Sequence, residues 1–551
     1  MSPKTSRSAS LSHGDATQPR TDYQKEETAQ PTHENHFNLH SPWETRYSPI
    51  DAVAQGRFEA EMDDLVVFGK IPTAIEGTWY RVHADNVQLP PVDVPFVEGD
   101  GLISAYRFSG GRVSMKMKYV ETERYLLERK AKKRLFGRYR NPWDNHPCVR
   151  LANDAAANIN ILYWAGDLLA MSERSLPYAV HPDTLETRIY DPYGGQIASR
   201  AFTAHPKIDP FQNELLAWGT RAKGLQSSDI VTYSLDTTGR AKNEFWFSDP
   251  NIPGWCHDAW VTDNWIVLSS APFRARTDKE LQVPNTDYWE YVPDKSQELV
   301  VIPRYPDSPL HGWARGEYRR YLAETGLIVH TGGGWEEADG TLTLDCPFLT
   351  YNNIFPFWNP PHHKPDSAPT GDYVRFKLDP RQPTGTKLPL PTSLSNHGLT
   401  DFPVIDDRYL TRKTTIVYLS GITATPEGGV LFSSIIKLNT DTGESAVFSG
   451  APGGNFAEAV FIPRSDNAPE GDGYILFAST RANVSKTELL LLDTEDFSRP
   501  IAVIQLPFLT RNQVHGNWVP NPNAGTPLPQ LGKPIKDVIA TTRFGPLAKG
   551  W

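Results

Sequence analysis

An all-β chain, and within that class a β-propeller, is what three features of this sequence predict. Turn formers are abundant and spread along the chain instead of gathered in linkers, with 40 Gly and 47 Pro among 551 residues. Aromatic residues reach 11%, which with the turn formers suits many short strands better than long helices and fits a barrel, a sandwich or a propeller. The third feature, one hairpin repeated along the chain, selects the propeller.

In chain order, residues 1–45 are rich in Ser, Thr, Gln, Asn, His and charge and nearly devoid of aliphatic side chains. Such a segment buries too little apolar surface to offset the entropy of ordering, so it reads as a disordered tail. Residues 46–551 read as a single propeller domain. From Asp51 onward, short apolar runs alternate with the turn dipeptides Gly110-Gly111, Gly194-Gly195, Asp339-Gly340, Gly428-Gly429 and Asp472-Gly473, as successive hairpins require.

The repeat itself runs from an apolar strand end into an Asx-type turn. It occurs in the segments beginning at Tyr178, Tyr233, Phe376, Ile436 and Leu491. An Asp or Asn at the strand end bonds the backbone two residues on and starts a tight return. One segment departs from the pattern. Glu121 to Arg140 favours helix and carries seven basic residues between Arg129 and Arg140. It reads as a solvated helix on the rim, or as a basic patch giving peripheral contact with an anionic membrane.

Charge and cysteine content narrow the class of partner. A net charge of −10 and a pI near 5.9 lack the basic footprint of a nucleic-acid binder. Cys148, Cys256 and Cys346 are too few and too scattered for a disulfide framework or a thiolate metal site, which suits a reducing, cytoplasmic setting. No run approaches the roughly 18 apolar residues of a membrane span. No obligate protein partner is evident.

Four of the fifteen histidines sit beside apolar or aromatic residues at expected strand ends: His205, His257, His330 and His515. Their separations of 52, 73 and 185 residues exclude a local metal motif. Only long-range folding, such as a closed radial architecture, brings such positions together; in a propeller that is one histidine from each of four blades. Neutral imidazoles suit Fe(II), Zn, Cu or Ni, and open positions suit a metal that binds O2.

These histidine contexts, with Gly77-Thr-Trp-Tyr-Arg81, Glu98-Gly-Asp-Gly101 and Glu470-Gly-Asp-Gly473, resemble the carotenoid cleavage oxygenase family, above all its fungal stilbene-cleaving members of the lignostilbene and resveratrol type. Phe202-Thr-Ala-His-Pro-Lys207, Phe402-Pro-Val-Ile-Asp-Asp407 and Val514-His-Gly-Asn-Trp518 carry the same resemblance, which spans roughly Asp51 to Val519. It implies a seven-bladed propeller, capped by a dome of loops and short helices over an axial metal site. It places one Fe(II) per chain on His205, His257, His330 and His515, with O2 as co-substrate, and puts the carboxylates Glu173, Asp401 and Glu458 behind the ligands. Such carboxylates fix imidazole tautomer and orientation.

The second of those carboxylates is normally Glu, so Asp401 implies a longer or water-bridged bond. The stilbene-cleaving members pair a Tyr with a Lys on the substrate's phenol; the Tyr falls on Tyr139, but the Lys position is Ser172, which removes that positive charge. Ile159 keeps the wall near the open metal position branched and apolar. The implied reaction is oxidative cleavage of a conjugated C=C bond into two carbonyl products, with a small aromatic alkene of stilbene or phenylpropanoid type as substrate. The alternatives are cleavage of an apocarotenoid or other polyene, and a catalytically inactive propeller acting as an interaction scaffold.

Overall fold

Seven sheets of four to six strands, with one separate two-stranded ribbon, make up the β-structure of the computed structural model. The structure describes residues 58–88, 97–252, 255–308, 310, 312–361, 363, 370–424, 430–450, 454–481, 484–511 and 514–521. The tail 1–45 and the dipeptide Gly428-Gly429 lie outside them. Among the described residues no helix is long and apolar enough to cross a membrane.

The sheets are the blades of a propeller, and their packing shows why the ring closes. Each junction between successive blades holds its own apolar cluster. Ile103 meets Leu168 between the first and second, Leu169 meets Val231 between the second and third, and Leu216 meets Val300 between the third and fourth. Val301 meets Leu344, Tyr373 meets Leu419, and Ile435 meets Phe477 at the next three. Trp79 and Leu476 share the last, which joins the seventh blade to the first. Burial of roughly 25 cal/mol per Å² at every junction leaves no blade free to detach alone.

Both chain ends contribute to this closure. In the first blade the late strand His515–Pro520 pairs with the early strand Gly77–Asp85, with Val82 opposite His515. In the seventh blade the early strand Val66–Gly69 pairs with Pro500–Gln505. Arg81, wholly buried, fastens the seam: its guanidinium donates to the carbonyls of Glu458 (2.8 Å) and Val514 (3.2 Å).

The repeated turn of the sequence follows the third strand of the second, third, fifth, sixth and seventh blades; it leads directly into the fourth strand in all but the fifth, where the chain first pairs Thr386–Lys387 with the fourth blade. The expected turn chemistry is present. Asp236, Asp379, Asn439 and Asp493 each accept from the backbone N–H two residues on, at 2.9 to 3.0 Å. In the second blade His181 Nδ1 does the same, accepting from Asp183 N at 3.0 Å.

The basic segment is helical only over Glu123–Ala131, capped by Thr122 and ended by Lys132 in the left-handed region at φ 53°. Three of its seven basic residues turn inward onto acids: Arg134 to Glu98 (2.7 Å), Arg138 to Asp287 (2.8 Å) and Arg140 to Glu173 (3.5 Å). A surface patch of seven charges is therefore reduced to Arg129, Lys130, Lys132 and Lys133.

The Glu98-Gly-Asp-Gly101 turn anchors the chain on the C-terminal side of this helix. Glu98 accepts from Tyr139 N at 3.0 Å as well as from Arg134. Gly101 lies so close to the next segment that a Cβ would stand 2.0 Å from the Ala157 carbonyl oxygen, a backbone atom that cannot yield alone. Gly101→Ala is expected to destabilise the protein by about 1–3 kcal/mol through overpacking, read as a lower thermal midpoint; an unchanged midpoint would contradict this contact.

Candidate metal centre

At the axis the innermost strands converge, and the four histidines sit where those strands begin. His205 precedes Lys207–Asp209, His257 precedes Ala259–Val261, His330 precedes Gly334–Glu336, and His515 opens His515–Pro520. All four are buried, and the potential ligand atoms lie within 4.8 Å of one another. His257 Nε2 stands 3.0 Å from His205 Nε2 and 3.2 Å from His330 Nε2. The four positions predicted from the sequence therefore meet in one cluster.

The three predicted carboxylates stand behind three of the rings. Glu173 Oε1 pairs with His257 Nδ1, and Asp401 Oδ1 accepts from His330 Nδ1 at 2.9 Å. Glu458 Oε1 lies 3.2 Å from His515 Nδ1, too oblique for a hydrogen bond, and its other oxygen accepts from Gly516 N at 3.2 Å. His205 has no carboxylate; its loop is held by Asn160, whose Nδ2 donates to the Ala204 carbonyl at 2.7 Å. Every blade thus sends one of these seven side chains to the axis.

Asp401 reaches its histidine directly, so the longer or water-bridged bond expected of the shorter side chain is not found. Its strand, Thr400–Val404, carries a bulge between Asp401 and Val404, with Phe402 in the left-handed region at φ 51°. A bulge re-aims a side chain and steepens the local twist, which offsets the missing methylene. Phe402 then packs 4.9 Å from the His330 ring and 5.4 Å from that of His515.

The donor set fits a divalent cation. With Nδ1–H donated to a carboxylate, the imidazoles of His257 and His330 present lone pairs at Nε2, yet these two nitrogens face each other at 3.2 Å. Two lone pairs at that distance repel, and a cation between them removes the repulsion. Burial and the neighbouring imidazoles push His205 well below its ordinary pKa, and burial lowers His515. For His330 burial acts downward, but Asp401, Asp258 and Glu458 outweigh it and the net shift is upward.

Glu173 is the most heavily bonded of the three acids. Its second oxygen accepts from Trp255 Nε1 (3.0 Å), the Tyr139 hydroxyl (3.2 Å) and Arg140 (3.5 Å). Burial raises its pKa, but His257, Arg140 and Trp255 outweigh burial and bring it down to about 2. Arg140 also donates through Nε to the Tyr139 oxygen at 2.9 Å. Its guanidinium lies 5.2 to 5.7 Å from the rings of Tyr139, Tyr288 and Trp289, a buried cation held by aromatic faces.

The remaining predicted residues lie nearby in different roles. Ser172 is buried and bonded to Ser175 (Oγ to Oγ, 3.2 Å). The cation that contacts the Tyr139 oxygen is Arg140, at 2.9 Å. Ile159 is partly buried against the cluster between the second and third blades, beside Asn160. Tyr139 packs against an aromatic cluster that includes Trp255, Phe273, Trp289, Tyr351, Phe355 and Trp358. Trp255 joins this cluster to the centre, its ring 4.7 Å from His257 and nearly parallel to it.

Sequence reasoning missed Trp255, Arg140 and Phe402. Trp255 was legible as a neighbour of His257, and Phe402 as a neighbour of Asp401. Arg140 was masked among six other basic residues.

Comparison with known proteins agrees with this geometry. The family model described as retinal pigment epithelial membrane protein matches residues 53–520. Resveratrol cleavage oxygenase 1 of Botryotinia fuckeliana is 41% identical over 499 residues, covering 88% of each chain. Isoeugenol monooxygenase of Pseudomonas nitroreducens is 33% identical over 485 residues, covering 85% of this chain and 96% of that one. The crystal structure of Pseudomonas brassicacearum lignostilbene dioxygenase matches with a TM-score of 0.78 at 31% identity, over 85% of this chain and 97% of that one. Fold and site together define an oxygenase of the carotenoid- and stilbene-cleaving class. The chain belongs to the retinal pigment epithelial membrane protein family, the carotenoid oxygenases.

Proposed function

We propose that this protein is an iron(II)-dependent dioxygenase that cleaves the conjugated double bond of a small aromatic alkene, of stilbene or phenylpropanoid type, into two carbonyl products. The observation that carries the reading is the convergence of four buried imidazoles below an aromatic cluster, Trp255 belonging to both surroundings. The named activities of the relatives, on resveratrol, isoeugenol and lignostilbene, support the substrate class. One iron(II) on His205, His257, His330 and His515 supplies O2 binding and activation, and one O2 added across C=C balances two C=O groups.

The protein's own groups hold and orient. Neutral imidazoles leave the metal's charge uncompensated, and Glu173, Asp401 and Glu458 offset it from behind while fixing ring orientation. The Tyr139 hydroxyl donates a hydrogen bond to Glu173 and accepts one from Arg140, which leaves a lone pair on its oxygen for a phenolic hydroxyl. The aromatic cluster excludes water and offers flat apolar faces to a planar substrate. No side chain acts as a general base.

The test is aerobic turnover of a panel containing hydroxystilbenes, propenyl phenols and apocarotenals, with products read by mass spectrometry. Aldehydes from the phenolic alkenes, with apocarotenals untouched, are expected. Turnover confined to apocarotenals would replace the substrate class, and no oxygen uptake from any member by iron-replete protein would leave an inactive scaffold.

A further inference from the structure

Close to the histidines in the chain lies an ion pair that none of the seven axial side chains accounts for, between Asp258, which follows His257, and Lys207, two residues beyond His205. Asp258, next to His257, is 2% exposed. It receives Lys207 Nζ at 2.7 Å, the Thr331 backbone N–H at 2.8 Å and the Thr331 hydroxyl at 2.9 Å. It also accepts from Ala259 N at 2.8 Å. The Ala259 carbonyl, also at 2.9 Å, is the alternative acceptor for the single proton of the Thr331 hydroxyl. Lys207 lies two residues beyond His205, and Thr331 lies one beyond His330. One carboxylate therefore ties together the innermost strands that carry three of the four histidines.

We infer that Asp258 is a positioning residue with two tasks: through Thr331 it sets the spacing of the His257 and His330 strands, and it cancels the charge of Lys207, on the His205 strand, next to a dicationic metal. The second task rests on electrostatics. Lys207 makes its one ion pair, among the described residues, with Asp258. A lysine left unpaired there would repel the metal through a low-dielectric interior. Asp258 touches neither metal nor substrate in this role, and His515 stands outside it, held instead through Arg81 at Val514.

This inference rests on the reading of the four histidines as an iron site. The test is the dissociation constant for Fe(II), measured anaerobically by competition with a chelator, on purified full-length protein and three variants. Asp258→Asn is expected to weaken binding about 10- to 100-fold, the range typical of lost outer-shell partners. Lys207→Met is expected to bind at least as tightly as the parent, since it removes a positive charge and keeps the acid. The double variant is expected to recover most of the loss. A role confined to structure would show no such rescue.

Parent-like binding by Asp258→Asn, or a double variant no better than it, would overturn the inference. Should Asp258→Asn fail to fold, by thermal unfolding of the metal-free protein, Lys207→Met decides alone: weaker binding than the parent overturns the charge role. Failure of the parent itself to bind iron would instead sink the metal site, so the two failures are distinguishable.

Discussion

Replacing His257 by Ala is expected to abolish iron binding and, with it, all oxygen uptake. His257 is the central member of the cluster, its Nε2 within 3.0 and 3.2 Å of two other ligand nitrogens. The substitution removes one of four donors and takes one hydrogen-bond partner from the buried Glu173, which keeps Trp255, Tyr139 and Arg140. Losing a hydrogen bond to a charged group costs about 1.5–3 kcal/mol, so a lower unfolding midpoint should accompany the loss of metal. Elemental analysis of parent and variant purified side by side checks this: one iron per chain should fall to background. Iron retained by His257→Ala would show that the metal does not depend on this ring.

The second large effect is expected from Glu173→Gln, an almost isosteric change that removes only charge and one acceptor. The glutamine oxygen can still receive His257 Nδ1–H, but its NH2 then faces Trp255, Tyr139 and Arg140, all of them donors to this position in the parent. Turning the amide over exchanges that conflict for one at His257. Either orientation leaves a buried donor unpaired, at roughly 1–3 kcal/mol, and iron affinity should fall about 10- to 100-fold.

The pH dependence of that cost has a definite sign. The folded pKa of Glu173 is depressed to about 2 from an ordinary value of 4.5, so its carboxylate contributes stability that is complete above about 4.5. As the pH falls from there through about 2, that contribution is lost. The stability gap between metal-free parent and Glu173→Gln, from denaturant titrations, should therefore be flat above pH 4.5 and narrow below it. A gap that stays constant across the acid range would mean that the Glu173 charge contributes nothing.

How much of this was legible beforehand depended on whether a signal was local. The outer turns were readable because Asp236, Asp379, Asn439 and Asp493 announce them within a few residues. The histidines were visible as candidates from their apolar settings, but their number and partnership came through family resemblance, because separations of 52, 73 and 185 residues carry no periodicity. Asp401 was singled out through the resemblance, and its reach was misjudged: side-chain length is written in the sequence, whereas the bulge and the left-handed Phe402 that carry it forward are not. Arg140 and Asp258 were invisible for a related reason. Each acts through partners distant in the chain, Arg140 through Glu173 and Asp258 through Lys207 and Thr331, and a charge's direction relative to an axis is set only when the ring has formed.

The closing strand has a consequence for how the protein is made. His205, His257 and His330 emerge from the ribosome long before His515, which lies on the strand that completes the first blade. Synthesis proceeds from the N-terminus, so a nascent or prematurely ended chain holds three donors and an open seam, never the full set. A metal held by all four imidazoles would thereby load only after the strand His515–Pro520 has been made. A filled centre would then report that the seam of the ring is closed.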